Sequence, residues 1–158
     1  MDYLIQQARP QDFLNIAALD RIAWPEEPDT FIPDGEHAWR LWCEYATVMM
    51  ATTTNENQQQ SLAGALLMFP TSTGETFLHK IMVHPDSRGQ GIGSALMKQA
   101  LQTANEVVLL TVNPENTPAV RLYESFGFQI RTRIEGYYRP HEHRLLMEFK
   151  PPQNGLVT

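Results

Sequence analysis

Residues 83 to 96 read Val-His-Pro-Asp-Ser-Arg-Gly-Gln-Gly-Ile-Gly-Ser-Ala-Leu, a strand that stops at a proline, crosses a glycine-studded turn and opens directly into an amphipathic helix. Few arrangements satisfy that order. Glycines at 89, 91 and 93 let successive backbone N–H groups converge with no Cβ between them, and the helix start adds unpaired donors and the positive end of its dipole. The segment predicts a cradle for a phosphate or pyrophosphate. A P-loop would require Gly-x-x-x-x-Gly-Lys-Ser/Thr, yet the first lysine here, Lys98, stands a full turn inside the helix. The dinucleotide fingerprint Gly-x-Gly-x-x-Gly, started at Gly89, needs glycine or alanine where Ser94 stands, inside a βαβ unit that the surrounding chain does not supply. What remains is Arg88-Gly89-Gln90-Gly91-Ile92-Gly93, of the form Arg/Gln-x-x-Gly-x-Gly/Ala. A ligand-free strand-to-helix turn also uses glycines, so the hexapeptide alone leaves that second reading open.

A second segment narrows the choice. Residues 113 to 128 read Asn-Pro-Glu-Asn-Thr-Pro-Ala-Val-Arg-Leu-Tyr-Glu-Ser-Phe-Gly-Phe: a strand end, a loop and a short capped helix. Thr117 suits the N-cap, Pro118 the first helical position and Gly127 the residue after the helix. Ala119, Leu122, Tyr123 and Phe126 recur at i, i+3, i+4 and i+7, which predicts that this face turns inward. Asn116, Ala119, Tyr123, Gly127 and Phe128 form Asn-x-x-Ala-x-x-x-Tyr followed by Gly-Phe. With the glycine turn, this pattern resembles the two cofactor motifs of the GNAT family of N-acetyltransferases, in the family's order and register. There is some likeness to the ribosomal-protein and peptide N-terminal acetyltransferases. The resemblance covers the chain from about Leu4 to Phe149.

The fold class expected is α+β, an α/β sandwich. It has a mixed, mostly antiparallel central sheet with one parallel pair, the fourth and fifth strands, flanked by helices. Strands are expected at Leu4–Ala8, Thr47–Thr53, Ser61–Phe69, Thr76–Val83, Glu106–Val112, Phe128–Ile134 and Arg144–Phe149. Helices are expected from Pro10 or Asp12 to Ala23, burying Phe13, Ile16, Ala17 and Leu19, and from Asp34 or Gly35, burying Ala38, Leu41, Trp42 and Tyr45. Trp24 to Pro28 ends the first of these. The helix from Gly91 turns Ile92, Leu96, Met97, Ala100, Leu101 and Ala104 to one face. At 158 residues, 42% of them hydrophobic, the chain suits one domain over 1–150 with a loose tail over 151–158.

Charge and cysteine content exclude other classes. A net charge of −6 with no cluster of lysine or arginine disfavours nucleic acid as a partner. The single cysteine, Cys43, cannot form an intramolecular disulfide, and amid Trp42 and Tyr45 it lacks a basic neighbour to make a thiolate. Neither a signal peptide nor a membrane-length apolar run is evident, which leads to the expectation of a cytoplasmic protein without membrane association. A homodimer stays open.

The resemblance implies acetyl-CoA as acetyl donor, an amine-bearing acceptor, and direct transfer in a ternary complex. Main-chain groups of Arg88, Gly89, Gln90, Gly91, Ile92, Gly93 and Ser94 would hold the pyrophosphate. Asn116 and the main chain of Met82 and Val83 would bond the pantetheine arm, and a backbone N–H near Met82 or Val83 would face the oxyanion. Tyr123 would lie near the sulfur and protonate the departing thiolate; an aromatic packed in the core is the other reading. A free lysine-type amine has a pKa of about 10.4, so a base must accept a proton. His79 is the candidate, on the strand entering the glycine turn and expected to share a face with Phe77, Ile81 and Val83. Arylalkylamine acetyltransferases resemble this segment and carry a catalytic histidine at the matching place. Other members use a glutamate where this chain has Phe77, and bacterial ribosomal-protein acetyltransferases an acid where it has Thr111. Those departures leave His79, a water chain or another residue as base, with a merely structural histidine as the alternative. They also motivate a second reading, a noncatalytic acyl-CoA-binding sensor. A third, a nucleotide-phosphate enzyme, predicts stronger protection by ATP or NAD than by acetyl-CoA. Tyr137 and Tyr138 resemble the pair that walls the acceptor site in peptide acetyltransferases, although tyrosines beside Gly136 and Pro140 are also ordinary turn composition. His141 and His143, with His84, lack an adjacent acidic or cysteine ligand, so no metal is expected.

Overall fold

Apolar runs of strand length dominate residues 47–83, and in the computed structural model, which describes residues 2–24 and 33–153, they form the middle of a mixed sheet. The described elements are β1 (Tyr3–Gln7), α1 (Phe13–Ile22), α2 (Glu36–Tyr45), β2 (Thr47–Thr54), β3 (Gln60–Pro70), β4 (Thr76–Val83), α3 (Ile92–Thr103), β5 (Val108–Val112), α4 (Thr117–Ser125), β6 (Gln129–Ile134) and β7 (Arg144–Phe149). The strand order is β1-β2-β3-β4-β5-β7-β6. β1–β2, β2–β3, β5–β7 and β6–β7 pair antiparallel, whereas β4–β5 is parallel, with Thr76 opposite Val108 and Phe77 opposite Leu109. This is the expected mixed α+β sheet flanked by helices. No helix among the described residues is long and apolar enough to cross a membrane. The chain divides into two compact units, residues 1–69 with 79–100, and residues 70–78 with 101–158.

In the first unit α1 and α2 cover one face of the strands. Ile16, Ala17, Leu19, Trp39 and Cys43 pack with Val48, Met50, Ala65, Leu67 and Met82. Gly64 takes the other face. A Cβ there would come 2.9 Å from the Met82 carbonyl oxygen, 3.1 Å from Ile92 Cγ2 and 3.3 Å from Leu96 Cδ1, so only glycine lets α3 sit this close. Cover on both sides explains why β3 is buried without interruption from Ala63 to Met68.

The buried face of α2 differs from the expected one. In α2 the structure buries Trp39 and Cys43 and leaves Leu41 56% and Tyr45 77% exposed, a face rotated by one residue from the expected Ala38, Leu41, Trp42 and Tyr45. Two apolar stripes compete on this helix, and Trp39 wins because its indole N–H finds an internal acceptor. On α1, Ile16, Ala17 and Leu19 are buried as expected, joined by Asp20 with no exposed surface. The expected break at Pro25–Pro28 and residues 154–158 of the expected tail lie outside the described residues. Burial, reinforced by Asp12 and opposed by Arg40, pushes the Cys43 thiol up to about 11, which keeps it a packing residue.

In the second unit β5 is buried at Val108, Leu109, Leu110 and Val112 and pairs along its length with β7. Phe128 is buried between the rings of Tyr123 at 6.0 Å and Phe149 at 5.7 Å. Arg131 bridges Glu75 at 2.7 Å and Glu148 at 2.8 Å. The N-cap of α4 is Asn116, not Thr117: its side chain accepts from the Ala119 N–H at 3.3 Å. On α4 Val120 is buried and Ala119, Tyr123 and Phe126 of the expected face are half-buried, while Leu122 stays 49% exposed. Gly127, at φ +102°, ends the helix as expected.

Candidate active site

The glycine turn is anchored before it opens. The His84 N–H donates to the Ala63 carbonyl at 2.7 Å, and the His84 imidazole Nδ1 accepts from the Asp86 N–H at 3.1 Å, setting a short 3-10 turn over Pro85–Ser87. Gly89 and Gly91 then adopt φ of +77° and +78°, and a Cβ added at either would meet nothing within 4 Å. Both facts matter. The left-handed backbone is the reason for glycine, and the open space leaves room for a ligand over the turn. α3 starts at Ile92, and the Ala95 N–H closes its first turn on the Gly91 carbonyl at 3.0 Å. The first N–H groups of a helix lack intrahelical acceptors, so an anionic group fits here. The guanidinium of Arg88 donates to the Ala23 carbonyl at the end of α1. A cation suits a helix C-terminus, and the contact ties the turn to α1.

His79 belongs to a partly buried polar cluster that the sequence reading missed. Its Nε2 lies 3.1 Å from Asp34 Oδ2, with the Trp42 ring at 5.3 Å and the Phe69 ring at 6.1 Å. Lys80 Nζ lies 2.7 Å from the same Asp34 oxygen and 2.8 Å from each oxygen of Asp20. Asp20 also accepts from the Trp24 indole at 2.9 Å, the Trp39 indole at 3.0 Å and the Asp34 backbone N–H at 2.9 Å. Burial alone would raise the Asp34 carboxyl, but hydrogen bonds from His79 and Lys80 and their positive charge outweigh it and hold it below the usual aspartate value.

His79 keeps the half-buried register of β4 expected for it with Phe77, Ile81 and Val83, while Leu78, Lys80 and Met82 alternate with them as buried residues. Val83 packs beside Gly93 of α3, whereas His79, two pairs of residues earlier and of the same parity, lies against Trp42 of α2. Lys80, of the buried register, reaches the same Asp34 oxygen that His79 faces. A signal for Asp20 did exist. It stands three and four residues after buried Ala17 and Ile16, and a charged group on an apolar helix face requires a partner.

Asn116, Tyr123, Tyr137 and Tyr138 sit in the second unit. Burial raises the Tyr123 phenol above its ordinary value, so the hydroxyl keeps its proton. Asn116 spends its side-chain oxygen on the helix cap, which leaves its amide hydrogens as donors. Tyr137 and Tyr138 form an exposed edge-to-face pair at 4.8 Å, with the Arg144 guanidinium 5.0 Å from the Tyr138 ring. His143 Nδ1 lies 3.0 Å from the Gly136 N and 2.6 Å from Glu135 Oε2.

Comparison with known proteins adds a family. A family model described as the acetyltransferase (GNAT) family matches residues 16–128. The thialysine N-epsilon-acetyltransferase of Sus scrofa is 30% identical over 85% of this chain and 89% of its own length. Two relatives match through a shorter segment. An uncharacterized N-acetyltransferase of Methanocaldococcus jannaschii is 38% identical over 39% of this chain, and a peptidyl-lysine N-acetyltransferase of Salmonella typhimurium is 40% identical over 42% of it. The chain spans only 29% and 45% of those two proteins. Among solved structures, the ribosomal-protein-S18-alanine N-acetyltransferase of Escherichia coli superposes with a TM-score of 0.78 at 22% identity, covering 99% of each chain, which speaks for the fold.

Proposed function

This chain belongs to the acetyltransferase (GNAT) family, and from that premise we propose that it is an acetyl-CoA-dependent N-acetyltransferase. It moves an acetyl group to a primary amine, of a peptide, a protein or a small molecule, by direct transfer in a ternary complex. The observation that carries the reading is the turn at Arg88–Ser94, where two left-handed glycines leave open space directly before α3. Backbone N–H groups of that turn hold the pyrophosphate, and the bound donor supplies an activated thioester. Met82 and Val83 pair with the pantetheine arm through their main chain, and Asn116 bonds it with its amide hydrogens. His79 takes a proton from the acceptor amine. Tyr123, kept protonated by burial, gives one to the leaving thiolate. Tyr137 and Tyr138 wall the acceptor. The relatives are named for peptidyl-lysine, thialysine and a ribosomal-protein alanine, which supports an amine acceptor without choosing one.

Calorimetry with acetyl-CoA, followed by release of CoA thiol in the presence of peptides, polyamines and antibiotic amines, tests the proposal. Saturable binding and turnover on at least one amine class is the expected result. Binding without turnover across the panel would favour the noncatalytic sensor, and no binding would refute both.

A further inference from the structure

Resting on the reading of His79 as the base, we propose that Asp34 is its positioning residue. Asp34 Oδ2 accepts the Nε2 hydrogen of His79, fixes the tautomer with the lone pair on Nδ1, and so makes Nδ1 the atom that receives the acceptor's proton.

The argument starts from hydrogen-bond roles. An ionised carboxylate only accepts, so at 3.1 Å the ring nitrogen facing Asp34 is the donor. A neutral imidazole with hydrogen on Nε2 has its lone pair on Nδ1, and among the described residues nothing hydrogen-bonds Nδ1. The rings of Trp42 and Phe69 flank the imidazole and restrict its rotation.

Asp34 is itself held from two directions. Its backbone N–H donates to Asp20 Oδ2 at 2.9 Å, and its carboxylate shares the Lys80 ammonium with Asp20. Asp20 is fully buried and fixed by two indoles, so the Asp34 carboxylate is aimed by the core. Among the described residues, the charged groups facing His79 are Asp34 itself, Lys80 on β4 and, behind them, Asp20 on α1; Trp42 and Phe69 bring no charge.

The proton transfer balances as follows. The acceptor ammonium loses one N–H bond, Nδ1–H forms, and the freed nitrogen lone pair attacks the acetyl carbonyl. The C–S bond then breaks, its electrons leave with sulfur, and the thiolate takes a proton from Tyr123; the second proton, shed by the new amide nitrogen, returns to the Tyr123 phenolate, and the one on His79 passes to solvent.

Nitrogen NMR of the full chain labelled in its histidine rings reads the tautomer directly. For neutral His79 the expected signals are a protonated Nε2 and an unprotonated Nδ1; the opposite assignment overturns the proposal without any variant. Steady-state kinetics add a second arm. Asp34→Asn is expected to lower kcat at least tenfold while KM for acetyl-CoA stays within twofold, and Asp34→Glu is expected to restore part of the loss. If Asp34→Asn keeps kcat within threefold while His79→Ala loses it, the positioning role is wrong and the base survives. If His79→Ala also keeps its rate, both fall.

Discussion

Replacing Lys80 with methionine removes one ammonium from the core while keeping nearly the same stem length, so its effect can be worked from the cluster around it. Lys80 is 9% exposed, and its Nζ holds both oxygens of Asp20 at 2.8 Å and Asp34 Oδ2 at 2.7 Å. Among the described residues, the variant leaves Asp20 with three donors, from Trp24, Trp39 and the Asp34 backbone, and no cation. Breaking a buried pair by removing one partner costs about 3–5 kcal/mol. The three surviving donors place this case near the lower end, about 3 kcal/mol. For a chain of this size each kcal/mol lowers Tm by about 2–4 °C, so a fall of roughly 6–12 °C is expected. Differential scanning calorimetry of the full chain at neutral pH measures it, with Asp20→Asn and the double variant completing a cycle. The double variant should lose clearly less than the sum of the single losses. A Tm within about 2 °C of the parent, or additivity within about 0.5 kcal/mol, would show that the charges do not depend on one another.

Other expectations follow from single positions. Gly91→Ala puts a Cβ on a residue at φ +78°, a strain of about 1–2 kcal/mol, and should weaken acetyl-CoA binding at least tenfold by calorimetry; a change under twofold would count against the cradle. Gly64→Ala drives a methyl into the Met82 carbonyl and should cost about 1–3 kcal/mol in urea unfolding, whereas an unchanged midpoint would mean that α3 can retreat freely. Tyr123→Phe should lower kcat at least tenfold with acetyl-CoA affinity intact, and a parent-like rate would return Tyr123 to the role of packed aromatic. The pH dependence of stability also has a sign. Because Asp34 is held below its ordinary value of 3.8, its contribution is complete above that pH and is lost as pH falls through the lower folded value. Glu75, through Arg131, and Glu135, through Arg133, add the same sign, so the comparison is with Asp34→Asn. The parent's urea midpoint should fall more between pH 6 and pH 3 than the variant's, and parallel curves would contradict the assignment.

The parts of this molecule legible from its sequence are those whose cause is local. Gly89 and Gly91 are left-handed because the turn between β4 and α3 demands it, and the apolar spacing from Ile92 to Leu101 identifies a helix without outside help. Where two local solutions were close in energy, distant partners decided. Ala38 and Trp39 compete for the inside of α2, and the acceptor that settles it, Asp20, is nineteen residues away. Asn116 and Thr117 are both competent caps, and the chain uses the earlier one. Asp20 itself meets Lys80 sixty residues later, a separation at which periodicity carries no information. His79 was found as a residue type on a strand; its neighbours Asp34, Lys80 and Trp42 come from tertiary packing alone.

The close approach of His79 and Lys80 to one oxygen of Asp34 also limits how this region can be transplanted. A β4 segment grafted into a related scaffold would import an ammonium whose counter-ions stay behind on α1 and before α2. The smallest portable module is four residues drawn from three stretches of chain, Asp20, Asp34 and the pair His79-Lys80, and recombination points placed between those stretches would split it.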